Sequence, residues 1–126
     1  MIGPFLQEVM HPAPGSNSPE FRRIDYLTFD RVEARWKYVS MDTRFPVSIM
    51  PASGSAGEGD ARKVSVHFEP QAFVGFGNAV EGRFMMSDLE ISQTSPGHEL
   101  KLQHVSMADG SGARWKFVTY EYTRRQ

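Results

Sequence analysis

The residues best suited to chemistry in this sequence are its four histidines, His11, His67, His98 and His104. A helical metal site needs two of them four apart on one face, with an acidic or third imidazole ligand completing the set. No pair here has that spacing. His67 and His104 fall in segments that read as strands, where they could meet across a sheet as chance neighbours. The run Gly75-Phe76-Gly77 lacks the third glycine and following helix of a phosphate cradle, so it reads as a turn. No serine sits in a Gly-x-Ser-x-Gly elbow. The carboxylates Glu8, Asp25, Asp42, Asp88, Glu90 and Glu121 are spread over several segments. Inside a strand such residues are expected on the wet face. The closing run Tyr120-Glu121-Tyr122-Thr123-Arg124-Arg125 puts Tyr122 and Arg124 on one face by alternation. Such a pair inside a barrel can hold a carboxylate through charge-assisted hydrogen bonds. On a sheet edge it would guard against stray pairing. No metal or cofactor is expected, and an enzyme is the least favoured class.

Composition narrows the setting. The chain has 126 residues, a single domain spanning 1–126 by size. It carries no Cys, which removes disulfides, thiolate metal sites and cysteine nucleophiles and fits a reducing, cytoplasmic setting. A net charge of -1 argues against a nucleic-acid partner. No apolar run approaches the roughly 18 residues of a spanning helix, so no membrane partner is expected. Met1 to Met10 has no basic region ahead of an apolar stretch, so no signal peptide is expected.

The elements that would position these residues are strands. In Lys63 to Glu69, Val64, Val66 and Phe68 alternate with Lys63, Ser65, His67 and Glu69. A period of two puts the apolar set on one sheet face. Phe5–His11, Phe21–Phe29, Ala34–Met41, Val80–Ile91, Glu99–Met107 and Ala113–Arg124 read the same way. Their boundaries carry residues that fix turns or tolerate positive φ. Phe21–Phe29 and Ala34–Met41 form a hairpin with a short loop. That gives about seven strands, and helical spacing is nowhere sustained over three turns. The connection Phe45–Ala61 carries Pro46, Pro51, Gly54, Gly57 and Gly59 and is expected to be loose. Its apolar front, Val47, Ile49 and Met50, is expected as a short extra strand or a lid.

One internal echo appears. Ala34-Arg35-Trp36-Lys37-Tyr38-Val39-Ser40 returns as Ala113-Arg114-Trp115-Lys116-Phe117-Val118-Thr119. Both copies follow a turn, and both set an aromatic face against a basic one. A single echo is no solenoid. It predicts two strands whose large rings cover a small β core.

The succession Gly3-Pro4-Phe5-Leu6-Gln7-Glu8-Val9-Met10, Tyr26…Phe29-Asp30, Trp36-Lys37-Tyr38, Glu81-Gly82-Arg83-Phe84 and Glu121-Tyr122-Thr123-Arg124 resembles bacterial lipocalin-like, calycin-type domains of unknown function. The resemblance implies an all-β, antiparallel up-and-down barrel with an interior cavity. Such domains open with further strands that have no match here. The implied barrel is therefore incomplete, or closed by a second copy as a homodimer. The expected function is binding of a small hydrophobic ligand inside the barrel. Wall candidates are Trp36, Tyr38, Val64, Val66, Phe68, Phe84, Met86, Leu100, Leu102, Trp115 and Phe117, with Tyr122 and Arg124 at the end. The alternative is a structural or assembly module acting through its surface.

Overall fold

Runs rich in Val, Phe, Tyr and Met, punctuated by Gly, Pro and Asp, become strands through most of the described chain. The computed structural model describes residues 6–17, 20–44, 49–55, 63–72 and 82–123. The Gly3-Pro4-Phe5 start, the Gly75-Phe76-Gly77 turn, the Val80–Glu81 opening of an expected strand, and Arg124 lie outside them. Nine strands follow in order: β1 (Leu6–Met10), β2 (Arg23–Asp30), β3 (Arg35–Asp42), β4 (Met50–Ser55), β5 (Lys63–Phe68), β6 (Gln71–Ala72), β7 (Phe84–Ser95), β8 (His98–Met107) and β9 (Arg114–Thr123). They form one antiparallel sheet in the order β1-β2-β3-β4-β5-β7-β8-β9, with β6 pairing along the start of β7. This is an up-and-down meander curled into an open half-barrel. Among the described residues no ladder joins β1 to β9.

Alternation decides what fills the curl. Tyr38, Met50, Ala52, Val66, Phe68, Leu89 and Ile91 are buried together on the concave face, with Leu27, Trp36 and Val64 packed against them. The Tyr38 and Phe68 rings meet edge to face at 5.8 Å, and Phe29 meets Trp36 the same way at 5.0 Å. A smaller cluster of Met85 and Val105 takes Met107 and Phe117 as partners. Each fully buried Leu, Val or Phe contributes about 1.5–3 kcal/mol.

Local chemistry sets the turns. Between β2 and β3, Asp30 Oδ1 accepts the N–H groups of Val32 at 2.9 Å and Glu33 at 3.0 Å. The same turn forces Ala34 to a φ of 53°. Between β7 and β8, Pro96 and Gly97 link Ser95 to its partner His98, with Gly97 at a φ of 78°. Pro followed by a positive-φ Gly suits a type II turn. Its twist matches flanking strands poorly, and the ladder shifts register between Gln93 and Ser95.

One expectation is corrected. Among the described residues the strands number nine rather than about seven, because β4 lies in the middle of the sheet between β3 and β5 and the two-residue β6 pairs along the start of β7. Pro51 and Gly54 hide it from a propensity reading, since both are depleted in strands. Gly54 is there for closeness: a Cβ at this position would sit 1.8 Å from the Ser65 carbonyl oxygen. Phe117 and Tyr122, both expected on the wall, stand at positions of opposite parity in β9. The β8–β9 register shifts between Gln103 and His104. That bulge changes the parity of β9, so Phe117 and the pair Tyr120 and Tyr122 all turn toward the concave side.

Gly54→Ala is expected to destabilise the protein by about 2 kcal/mol or more in urea unfolding, because both clashing groups are backbone. Ala34→Gly is expected to stabilise it by about 0.5–1 kcal/mol, as relief of the left-handed strain outweighs the added unfolded-state entropy.

Candidate functional site

Arg23, Asp25, Leu27 and Phe29 are alternate residues of β2 and share its concave face. The interior is therefore apolar toward one end and ionic toward the other. Arg23 Nε donates to Asp25 Oδ1 at 2.9 Å and Oδ2 at 3.1 Å. Its Nη2 donates to the Tyr38 hydroxyl at 3.1 Å, which in turn donates to Asp25 Oδ2. From the far side of the curl, Lys101 of β8 donates to Asp25 Oδ2 at 2.9 Å and to Glu8 Oε2 of β1. Arg23 and Asp25 are each 2% exposed and Lys101 1%. The cations also lie over rings: Arg23 is 5.1 Å from the Tyr120 centroid, and Lys101 is 5.5 Å from Tyr38 and 5.1 Å from Tyr122.

A second layer continues the bridge. Asp42, buried at the end of β3, accepts from Arg44 Nη2 at 2.6 Å and Nε at 2.9 Å. Arg44 stacks on Phe21 at 3.9 Å and donates to the Tyr120 hydroxyl at 3.0 Å. Tyr122 Oη lies 3.3 Å from Met10 Sδ. In each case a side chain from β1, or from the turn just after β3, reaches β9 across the open side of the curl.

The electrostatics follow from this packing. Burial works to raise the Asp25 carboxyl, but Lys101 and Arg23 hold it below the usual carboxylate range. Burial works against the Lys101 charge, and Asp25 and Glu8 more than restore it. Burial drives the Tyr38 phenol upward, so it stays a protonated donor to Asp25. Glu99 is the exception. Burial, a hydrogen bond with Glu8 and that neighbour's charge push it up to about 7. With Glu99 neutral, the buried cations Arg23 and Lys101 balance the anions Asp25 and Glu8.

Free space is small inside and larger outside. A cavity of about 20 Å³ lies beside Arg23, lined also by Met50, Phe68, Ser87, Gln103 and Phe117, and that is the size of a single water. An open depression of about 340 Å³ is lined by Arg83, Phe84, Met107, Ala108 and Asp109.

The residues singled out from the sequence divide by face. Tyr38, Val66 and Phe68 are buried in the concave core, with Trp36 and Val64 packed against it. Phe117 is partly buried against Met85 and Val105, Tyr122 reaches the ionic cluster, and Trp115 is 39% exposed. Phe84 at 60% and Met86 at 46% exposed lie on the convex face, because Met85, Ser87, Leu89 and Ile91 are the buried parity of β7. Leu100 and Leu102 likewise alternate with buried Lys101. These four residues therefore do not line the interior. Asp25 and Asp42 correct the expectation of wet-face carboxylates in the opposite sense. His67 and His104 are separated by β7: His67 Nδ1 lies 2.6 Å from Asp88 Oδ1, and Asp88 pairs across the ladder with His104. Among the described residues no three His, Cys, Asp or Glu converge as metal ligands.

Sequence reasoning missed Arg23, Glu99 and Lys101 as members of one site. A signal for Arg23 and Asp25 existed: they share parity with Leu27 and Phe29, so an inward-facing Phe29 implies an inward-facing Asp25. The fold and site define an all-β antiparallel half-barrel with a salt-bridged interior. No protein-family model, curated protein or solved structure matches the chain.

Lys101→Met is expected to cost about 3–5 kcal/mol in denaturant unfolding, since it leaves buried carboxylates short of a cation. Lys37→Met removes an ion pair with Glu33 whose side chains are 42% and 52% exposed, and is expected to change stability by less than about 0.5 kcal/mol.

Proposed function

We propose that this chain is a lipocalin-like, calycin-type β domain that works as an assembly module, a homodimer joined through the open edge of its half-barrel. The observation that carries the reading is an unclosed sheet with an occupied interior. Among the described residues β1 pairs only with β2, and β9 only with β8. Side chains fill the concave face between them. A ten-residue edge such as β9 presents a row of backbone donors and acceptors that favours pairing with another strand.

The charge pattern of β9 supports a second copy as the occupant. Arg114 and Lys116 lie at its start and Glu121 near its end, all exposed. A two-fold antiparallel pairing sets the basic end of one strand against the Glu121 end of its mate. A second reading, binding of a small hydrophobic ligand, draws support from the depression between Phe84 and Met107. Its roughly 340 Å³ falls in the range of ligand pockets.

The test joins light scattering across a dilution series with hydrogen exchange. A dimer is expected at micromolar concentration, with slow exchange at every second amide of β9, those that do not donate to β8. A monomer at all concentrations, with those amides exchanging freely, would contradict the proposal.

A further inference from the structure

The open side of the half-barrel carries a feature that neither assembly nor packing requires. Glu8 comes from β1, an edge strand of five residues held, among the described residues, by a ladder on one side only. Glu99 comes from β8, on the far side of the opening. The Glu99 carboxyl faces Glu8, whose hydrogen-bonding and charge both act to keep it protonated. Two carboxylates in contact cannot both stay ionised without a compensating cation. The cation nearest to hand, Lys101, is already shared between Glu8 and Asp25. Glu99 Oε1 is meanwhile buried with no hydrogen-bond partner, so a charge on that group would find no donor there.

From these contacts we propose that the Glu8–Glu99 pair is a proton-operated latch: the proton held by Glu99 is donated to Glu8 and pins β1 across the open side, and its loss releases β1. The groups facing Glu99 fix the direction. Glu8 faces it from β1, Asp25 from β2, Lys101 from its own strand and Tyr122 from β9, where it is the cross-strand partner. Arg23 and Tyr38 stand behind Asp25. The cations Arg23 and Lys101 match Asp25 and Glu8, so ionised Glu99 leaves one unmatched negative charge. The repulsion falls on Glu8, which is 22% exposed and sits on an edge strand of five residues. Release of β1 uncovers the β2 edge and the Lys101–Asp25 pair.

The linkage runs in one direction. Glu99 binds its proton more tightly folded than unfolded, with the group raised from 4.5 to about 7. The stabilisation it supplies is complete below about 4.5 and is lost as pH rises through about 7.

The experiment is hydrogen exchange of the full chain from roughly pH 5 to pH 8.5, corrected for intrinsic rates, on wild type and Glu99→Gln. The carboxamide keeps a neutral donor facing Glu8 at every pH. Protection of the Leu6–Met10 amides is expected to fall about tenfold or more in the wild type and to stay level in the variant. No fall in the wild type, or an equal fall in both, would overturn the proposal. The wild type alone also decides it through the carboxyl carbon resonance of Glu99. Titration near neutrality, with the midpoint of β1 release, is the expected result. Titration in the ordinary carboxylate range would overturn it.

Discussion

The structure turns on a buried charge cluster at the open side of a curled sheet. Arg23, Asp25 and Lys101 are removed from water almost completely, at a desolvation cost of several kcal/mol per ion. They persist because each is satisfied more than once. Asp25 accepts from Arg23, Tyr38 and Lys101, and rings of Tyr38, Tyr120 and Tyr122 cover the cations. A partly satisfied network of this kind would be worse than an apolar core. The geometry gives it one consequence above others: it ties β1, β2 and β3 to β8 and β9, which no backbone ladder among the described residues does.

That substitution of side-chain bridges for a ladder explains the division of the interior. Toward the apolar end, where β3, β4, β5 and β7 are laddered, ordinary packing suffices and Val66 and Leu89 are fully covered. Toward the opening, directional bonds replace hydrogen-bonded strands. The bulge opposite Phe117 belongs to the same solution. Without the parity change it introduces, Phe117 would take one face and Tyr120 and Tyr122 the other. With it, Phe117 reaches Met85 while the tyrosines reach Lys101 and Arg23. β1 gains least from either device, being short and on the edge, and so it is the element most sensitive to the charges beneath it.

The sequence made the class of fold legible because period-two patterning survives without any alignment. Val64, Val66 and Phe68 sit against Lys63, Ser65 and His67, and only a half-buried strand explains that. The turns were legible for the same local reason, through Asp30, Pro96-Gly97 and Asp109-Gly110. The middle strand was only hinted at by Ile49 and Met50, because Pro51 and Gly54 are depleted in strands and Gly54 answers to the close approach of Ser65 rather than to propensity. Which face of β7 and β8 points inward was also hidden. Phe84-Met85-Met86 offers apolar side chains to both faces, and Leu100 and Leu102 flank the buried Lys101, so size pointed to the wrong parity. Buried ions are the hardest class to see: a charge in a strand belongs on the wet side by frequency, and only the partner on a distant strand reverses that. Lys101 and Asp25 are 76 residues apart, beyond the reach of any local pattern.

The Asp25–Lys101 contact fastens the two sides of the open curl, and a double-mutant cycle measures it directly. Asp25→Asn, Lys101→Met and the double variant, each unfolded in urea under the same conditions, isolate the pairwise term from the cost of burying either group. A coupling energy of about 2 kcal/mol or more is expected, toward the upper part of the roughly 0.5–3 kcal/mol found for residues sharing a network. A coupling below about 0.5 kcal/mol, as for independent sites, would contradict it.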